Sequence, residues 1–443
     1  MRRGRPTKTA RSCAGAVRVE AVKTALRLGL VLVPLALATE ACGGGGGGAQ
    51  PSQKVDKTIT IVVNAPFSTG AHIGQTIYRG VKLAVDAAAA GGTHPGQVAI
   101  AQKVYRVRIQ KLDNALSPAR ALANVRRAVD EHAVAIVDEG TGIDASWPVA
   151  NRAHIPIGIV YEGGLGLVDP ERRPNVFRIV PTDHGVAFRL AEYLSHKHLK
   201  LALLHDDTSY GQEGAKALDR AFSYEPKSIA IRLLLPSGQT DLSPQILRAR
   251  RAGATGLVVW ASPPTIADVL IAARSRGWKV PVFTPPSGAD PVVRQALADH
   301  PDWVDGLTFA SGRMTAELGA AAFYAFQARY TQTFGPDYVG VKTSKGARVT
   351  EPPEYAMYPY DFVDLLLAAF QQAQDPTDGK AVLSQLEQVS VLGANGDNRG
   401  FNQRNHEGVV DDDVYFAKFH DMTYAPVRDD PLSSTLPAIS QEG

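Results

Sequence analysis

The stretch DLSPQILRARRAGATGLVVW (241–260) decides the fold. It reads as a helix from Leu242 to Ala252, stopped by Gly253, and then as a buried strand, TGLVVW (255–260). A helix that ends on glycine and feeds an apolar strand within a few residues is half of a βαβ unit. Outward from it the pattern repeats. Upstream lie the strand LKLALLH (199–205), a helix from Gly211 to Phe222 and the strand SIAIRLLL (228–235). Downstream lie a helix over 264–276 and the strand VPVFT (280–284).

The first half carries the same alternation. TITIVVN (58–64) is a strand, and Ile77, Val81, Ala84, Val85 and Ala88 recur at helical spacing. VYRVRIQKL (104–112) alternates as a strand. Ser117-Pro118 is an N-cap followed by proline at the first helical position, and that helix turns Ala121, Val125, Ala128 and Val129 inward. AVAIV (133–137), a helix to His154 and IPIGIV (155–160) complete the run. Strand-helix alternation of this kind implies a parallel sheet covered on both faces, and it occurs twice in series. A last section, about 306–428, adds a strand, helices around Ala320–Phe334 and Tyr360–Ala373, and strands near 413–419.

The first fifty residues read as targeting. A basic stretch precedes Leu28 to Ala38 (LGLVLVPLALA), an apolar run too short for the about 20 residues of a bilayer span. Ala41-Cys42 follows, and Gly43 to Gly48 are six consecutive glycines. This segment resembles the bacterial lipoprotein signal, which implies lipidation of Cys42. It departs from that pattern at Thr39 and Glu40, where Leu and a small residue are usual. The glycine run and the residues after it form a flexible tether of about 14 residues, reaching roughly 20 Å as a random coil. Residues 1–41 hold eight basic and two acidic residues, or +6, so the formal charge of +3 leaves the rest at −3. That balance gives no electrostatic argument for nucleic-acid binding. Both cysteines, Cys13 and Cys42, precede the folded region, which therefore holds no disulfide and no cysteine nucleophile.

Four patterns stand in order along the chain: APFSTGAHIGQTIYRGVKLAV (65–85), LDNALSPARALANVRRAV (112–129), LLHDDTSYGQEGAKAL (203–218) and the opening stretch 241–260. Together they resemble the branched-chain amino-acid/amide-binding branch of type I periplasmic binding proteins, over about 57–428. The resemblance implies two doubly wound α/β lobes with three hinge crossings, near 180–184, 305–309 and 398–409. It divides the chain into a signal (1–41), a lipidated cysteine and tether (42–56), a first lobe (57–182 with 309–398), a second lobe (183–308 with 399–428) and a flexible tail (429–443). It implies a monomeric, non-enzymatic binder anchored by lipid to the outer face of the cell membrane. Such a protein captures a small ligand without a cofactor and delivers it to an ABC permease. The alternatives are a sensor that presents its closed form to a membrane receptor or kinase, and an extracytoplasmic hydrolase.

Ligands in open α/β sheets bind at the carboxyl ends of strands. The loops there nominate Ser68, Thr69, Ile73, Thr141, Gly142, Tyr161 and Glu162 from the first lobe, and Tyr210, Trp260, Ser262 and Ser287 from the second. In amino-acid-binding relatives small hydroxyl residues at the Tyr161-Glu162-Gly163 loop hold the ligand carboxylate, and an acid near Ser287 pairs its ammonium. Glu162 and Ser287 depart from both. With Glu139, Glu162 suits a cationic, amide-bearing or hydroxyl-rich ligand or an amino-acid derivative better than a plain α-amino acid. Glu139 and Glu162 have no further support as a glycosidase pair. His154, His184 and His205 lack metal-ligand spacing, and no phosphate loop of the G-x-x-x-x-G-K-[ST] form occurs. Residues 342–354 (KTSKGARVTEPPE) read as an exposed loop open to a partner.

Overall fold

The computed structural model describes residues 54–89, 94–224, 226–236, 238–313, 321–336, 340–350, 352–409, 414–427 and 429–430. The expected signal segment, Cys42, most of the expected tether and the expected tail beyond Asp430 lie outside them. No helix among the described residues is long and apolar enough to cross a membrane.

The first lobe is built on β1 (Lys57–Ala65). Its residues alternate between two covered faces. Ile59, Ile61 and Val63 pack against α1 (Ala71–Ala87) and α10 (Met357–Ala373), while Val62 joins the core under α2 (Pro118–Asp130) and α3 (Ile143–Arg152). β3 (Lys103–Asp113) and β4 (Ala135–Asp138) flank β1 in parallel, and β5 (Ile157–Ile159) and β6 (Val176–Arg178) extend the sheet. At the other edge β2 (Gln97–Ile100) runs antiparallel to β3. The turn between them places Ala101 and Gln102 at φ 47° and 65°. Neither residue carries the glycine signal usual for that conformation. α2 starts as its sequence requires: the Ser117 hydroxyl accepts the Arg120 N–H at 3.5 Å, and Ala121, Val125 and Ala128 are buried.

The second lobe contains α4 (Asp183–Ser195), β7 (Leu201–Asp206), α5 (Ser209–Ala221), β8 (Ile229–Leu235), α6 (Ser243–Arg251), β9 (Gly256–Trp260), α7 (Pro263–Arg274), β10 (Val282–Thr284), α8 (Pro291–Ala296) and β11 (Leu307–Ser311). The strand order is β8-β7-β9-β10-β11, all parallel. β14 (Tyr415–His420) and β15 (Thr423–Pro426) close the far edge in antiparallel fashion. The last third of the chain otherwise serves the first lobe. α9 (Ala321–Phe334), α10 and α11 (Gly379–Leu386) supply Phe323, Phe326, Phe362, Leu366 and Val382 to its core, and β12 (Ser390–Leu392) pairs with β13 (Asn398–Gly400) beside them.

Two of the three passages between sheets differ in place from the expected ones. The first lies between Arg178 and Asp183. Residues 305–309 hold no passage, because Leu307 and Phe309 are buried in the second lobe and β11 pairs with β10 there; the chain leaves only after Ser311. The third passage also comes late. Phe401 and Val409 pack in the first lobe and Val414 in the second, so the second lobe does not resume at 399. Arg178 holds this segment through two 2.7 Å hydrogen bonds to Glu407. An additional excursion involves 340–350. Val341 and Val349 bury in the second lobe's core, and the Ser344 N–H and hydroxyl donate to Asp421 at 2.6 and 2.8 Å. The segment is thus docked through its apolar ends, with its polar tip exposed. The start of the expected tail is likewise tied down: Arg189 pairs with Asp430 at 3.2 Å, and the Tyr193 hydroxyl donates to Asp429 at 3.2 Å.

Candidate ligand-binding site

A cavity of about 230 Å³ lies between the carboxyl edges of the two sheets. In both sheets the strand order reverses next to it, at β3-β1-β4 and at β8-β7-β9. These switch points are where an α/β sheet leaves a crevice. Its walls come from the residues following β4, β5, β7, β9 and β10, from the hinge at Val180, Pro181 and Asp183, and from Tyr355 and Tyr358 at the start of α10.

The wall has an unusual charge. Glu139, Glu162, Asp183 and Asp290 line the cavity, and no lysine, arginine or histidine is among the described residues that do. Asp138 is buried directly behind them. The backbone is shaped to hold these acids. Gly140 has φ 127°, and a Cβ there would sit 2.2 Å from Glu162 Cβ. A Cβ on Gly163 would sit 2.5 Å from an Asp183 carboxylate oxygen. Both carboxylate side chains therefore lie against glycine backbone.

The partners of the acids differ. Asp138 accepts from Asn64 at 2.7 Å and from the Gly140 N–H at 2.8 Å. Glu139 accepts from Asn114 at 2.8 Å and from the Thr141 hydroxyl at 2.9 Å. Glu162 has no side-chain hydrogen bond or ion pair among the described residues, and Asp183 Oδ2 is buried without a partner. Burial, then the neighbouring Glu139 and Asp183, push Glu162 up to about 8 against a weaker opposing pull from Arg178. Burial pushes Asp183 and Asp138 up to about 7. The cavity wall thus holds part of its acid in the neutral form. Asp290 caps α8, accepting the Val292 N–H at 2.8 Å, and its other carboxylate oxygen lies 3.4 Å from Nε2 of His72 on α1, across the cleft.

Tyrosines provide much of the remaining surface, beside Ile73, Leu116, Val180 and Val186. Tyr161 and Tyr355 meet edge to face at 5.1 Å. Tyr210 reaches Ser287 at 3.4 Å, and Ser287 donates to the Ala261 carbonyl at 3.1 Å. Asp206, at the end of β7, accepts the Ser262 N–H at 2.8 Å and fixes the end of β9 beside it.

Of the expected residues, Ile73, Tyr161, Glu162, Tyr210, Ser262 and Ser287 line the cavity. The others stand elsewhere. Ser68 binds Asp113 through its N–H and hydroxyl, and Thr69 is exposed. Thr141 spends its hydroxyl on Glu139. Gly142, at φ 78°, opens α3 against the Pro118 backbone. Trp260 is fully buried, its ring pressed on Gly214 of α5. Asp183, Asp290, Tyr355 and Tyr358 were not foreseen. Asp290 corrects one expectation: the second lobe does carry an acid in the cavity, three residues past Ser287. Its sequence signal was Asp290-Pro291, an N-cap followed by proline.

Solved structures share this architecture. A type 1 periplasmic binding protein from Bordetella pertussis Tohama I superposes with TM-score 0.71 at 20% identity, over 84% of this chain and 100% of that one. LivJ from Streptococcus pneumoniae, a branched-chain amino-acid transporter substrate-binding protein solved with isoleucine, gives 0.67 at 20% identity, over 83% and 97%. A solute-binding protein of an ABC transporter from Rhodopseudomonas palustris BisB5, solved with 3,4-dihydroxybenzoic acid, gives 0.65 at 18%, over 82% and 93%. No curated protein matches the sequence. The family model described as periplasmic binding protein matches residues 58–422, most of the chain, and by that match the chain belongs to the periplasmic binding proteins, as an extracytoplasmic solute-binding protein of the two-lobed type I fold.

Proposed function

We propose that this protein captures a small organic cation, without a free carboxylate, between its lobes and delivers it to an ABC permease. The observation that carries the ligand class is the wall of the cavity: four carboxylates, four tyrosines and no basic side chain among the described residues. An ammonium or guanidinium supplies donors to the unpaired Glu162 and Asp183 oxygens and stacks on tyrosine faces. A carboxylate ligand meets Glu162 and Glu139 instead. Ile73, Leu116, Val180 and Val186 favour an apolar body on the cation. Lobe closure suffices for capture, with no covalent step.

The comparison structures bind isoleucine and 3,4-dihydroxybenzoic acid, so the alternatives are concrete. A thermal-shift screen with phenethylamine, agmatine, choline, 1,4-diaminobutane, leucine and 3,4-dihydroxybenzoate separates them. The amines are expected to raise the melting temperature and leucine is not. Stabilisation by micromolar leucine or by the benzoate alone refutes the cationic reading.

The anchor is part of the same proposal. Cys42 and the glycine run after it suit a lipidated N-terminus that lets the lobes stand off the membrane. Cys42→Ser is expected to release the protein from the membrane fraction, and an unchanged distribution refutes lipidation there.

A further inference from the structure

The cleft carries a cation of its own. His72, in the first turn of α1, approaches buried Asp290 of the second lobe to 3.4 Å, while Asp290 is itself part of the cavity wall. The imidazole is partly exposed and the carboxylate almost fully covered, with side-chain exposures of 38% and 2%. Among the described residues this pair bridges α1 of the first lobe and the cap of α8 in the second, and its Asp290 end borders the cavity a bound cation would enter. We propose that His72 is a tethered competitor: its imidazolium occupies Asp290 in the empty cleft, and a ligand cation must displace it. The inference rests on the cationic reading of the ligand given above.

The chemistry follows from what surrounds the pair. Tyr161, after β5, and Tyr355, before α10, feel the Asp290 charge and are held protonated by burial. Glu139 and Glu162 lie near Tyr161 on the same side, and burial pushes both carboxyls up. Arg178 acts on Glu162 and Asp183 from the first lobe, and His72 is the cationic group that meets Asp290. Burial disfavours its charged form, but the Asp290 carboxylate outweighs this and leaves His72 above its ordinary value of 6.5. The pair therefore holds fully below pH 6.5 and is lost as pH rises through the raised value. A ligand cation that takes Asp290 returns His72 toward 6.5 and releases its proton. Capture should weaken on acidification, and His72 sets part of that response.

The test is calorimetric titration of phenethylamine and agmatine into wild type, His72→Gln and His72→Lys at pH 5.5 and 8.5. His72→Gln cannot charge. It is expected to bind more tightly than wild type at pH 5.5 and equally at pH 8.5. His72→Lys keeps the competitor charged and is expected to bind more weakly than wild type at pH 8.5. Weaker binding by His72→Gln at pH 5.5 overturns the proposal, since it makes His72 a latch on the loaded cleft. So does an identical pH response in all three proteins while the amines still bind. If neither amine binds wild type at pH 8.5, the cationic reading fails and takes this inference with it.

Discussion

Replacing Glu162 with Gln tests the electrostatics of the cavity without any ligand. In the folded protein Glu162 titrates at about 8, raised first by burial and then by Glu139 and Asp183; its ordinary value is 4.5. Between those two values the folded chain holds a proton that the unfolded chain has released. The stability this gives is complete below pH 4.5 and is lost as pH rises through 8. The steepest slope for one proton is about 1.4 kcal/mol per pH unit, so two units, from pH 5.5 to 7.5, could remove at most about 2.7 kcal/mol. Glu162 is open to the cavity on one side, and a loss of about 1–2 kcal/mol is expected once that screening is allowed for. Asp138 and Asp183 titrate near 7 and add losses of their own to both proteins, so the difference between variant and wild type reports Glu162 together with its interaction with Glu139. Urea unfolding at pH 5.5 and 7.5 measures it. Glu162→Gln should lose about 1–2 kcal/mol less than wild type over this interval. Equal losses in the two proteins refute the placement of Glu162 as an unpaired, neutral acid.

Other consequences are independent of that one. A cation that restores the charge of Glu162 must expel its proton, so the heat of amine binding at pH 7 should differ between phosphate and Tris buffers; the absence of any buffer dependence counts against a neutral Glu162. Tyr210→Ala should weaken amine binding by about 1–3 kcal/mol, whereas Tyr210→Phe, which keeps the ring and loses only a long contact to Ser287, should change it little. Gly158→Ala would bring a Cβ to 2.3–2.5 Å from the Phe362 ring, and calorimetry should show a destabilisation of about 1–3 kcal/mol from overpacking between β5 and α10. Glu407→Gln strips the carboxylate from Arg178, whose side chain is 2% exposed. It should cost about 3 kcal/mol in urea unfolding, much of it recovered in the Arg178→Met, Glu407→Gln double variant.

The sheets were legible because parallel strands buried on both faces leave continuous apolar runs. β1, β7 and β9 follow theirs within two residues. The β2–β3 hairpin was not, since Ala101 and Gln102 adopt a turn conformation that gives no compositional sign. The cavity lining was legible where it hangs on strand ends, as at Tyr161, Glu162, Ser262 and Ser287. It was misread where direction matters. Trp260 is the last residue of β9 and its ring packs into the covered face against α5, while Ser262, past the strand end at the N-cap of α7, borders the cavity. Thr141 sits at the right loop, but Glu139 takes its hydroxyl. Tyr355 meets Tyr161 across nearly two hundred residues of sequence, and local pattern carries no trace of such a pairing.

The late return of the chain governs when this protein is able to fold. β11 waits for β14, more than a hundred residues on, to cover its open edge. α1 lacks its packing partner until α10 has been made. Neither lobe is a continuous stretch, so neither can complete its core on a partly synthesised chain. Contacts this distant in sequence form slowly. A chain destined for the far side of a membrane gains from that delay, because it stays loose enough to be threaded across while its last segment is still missing.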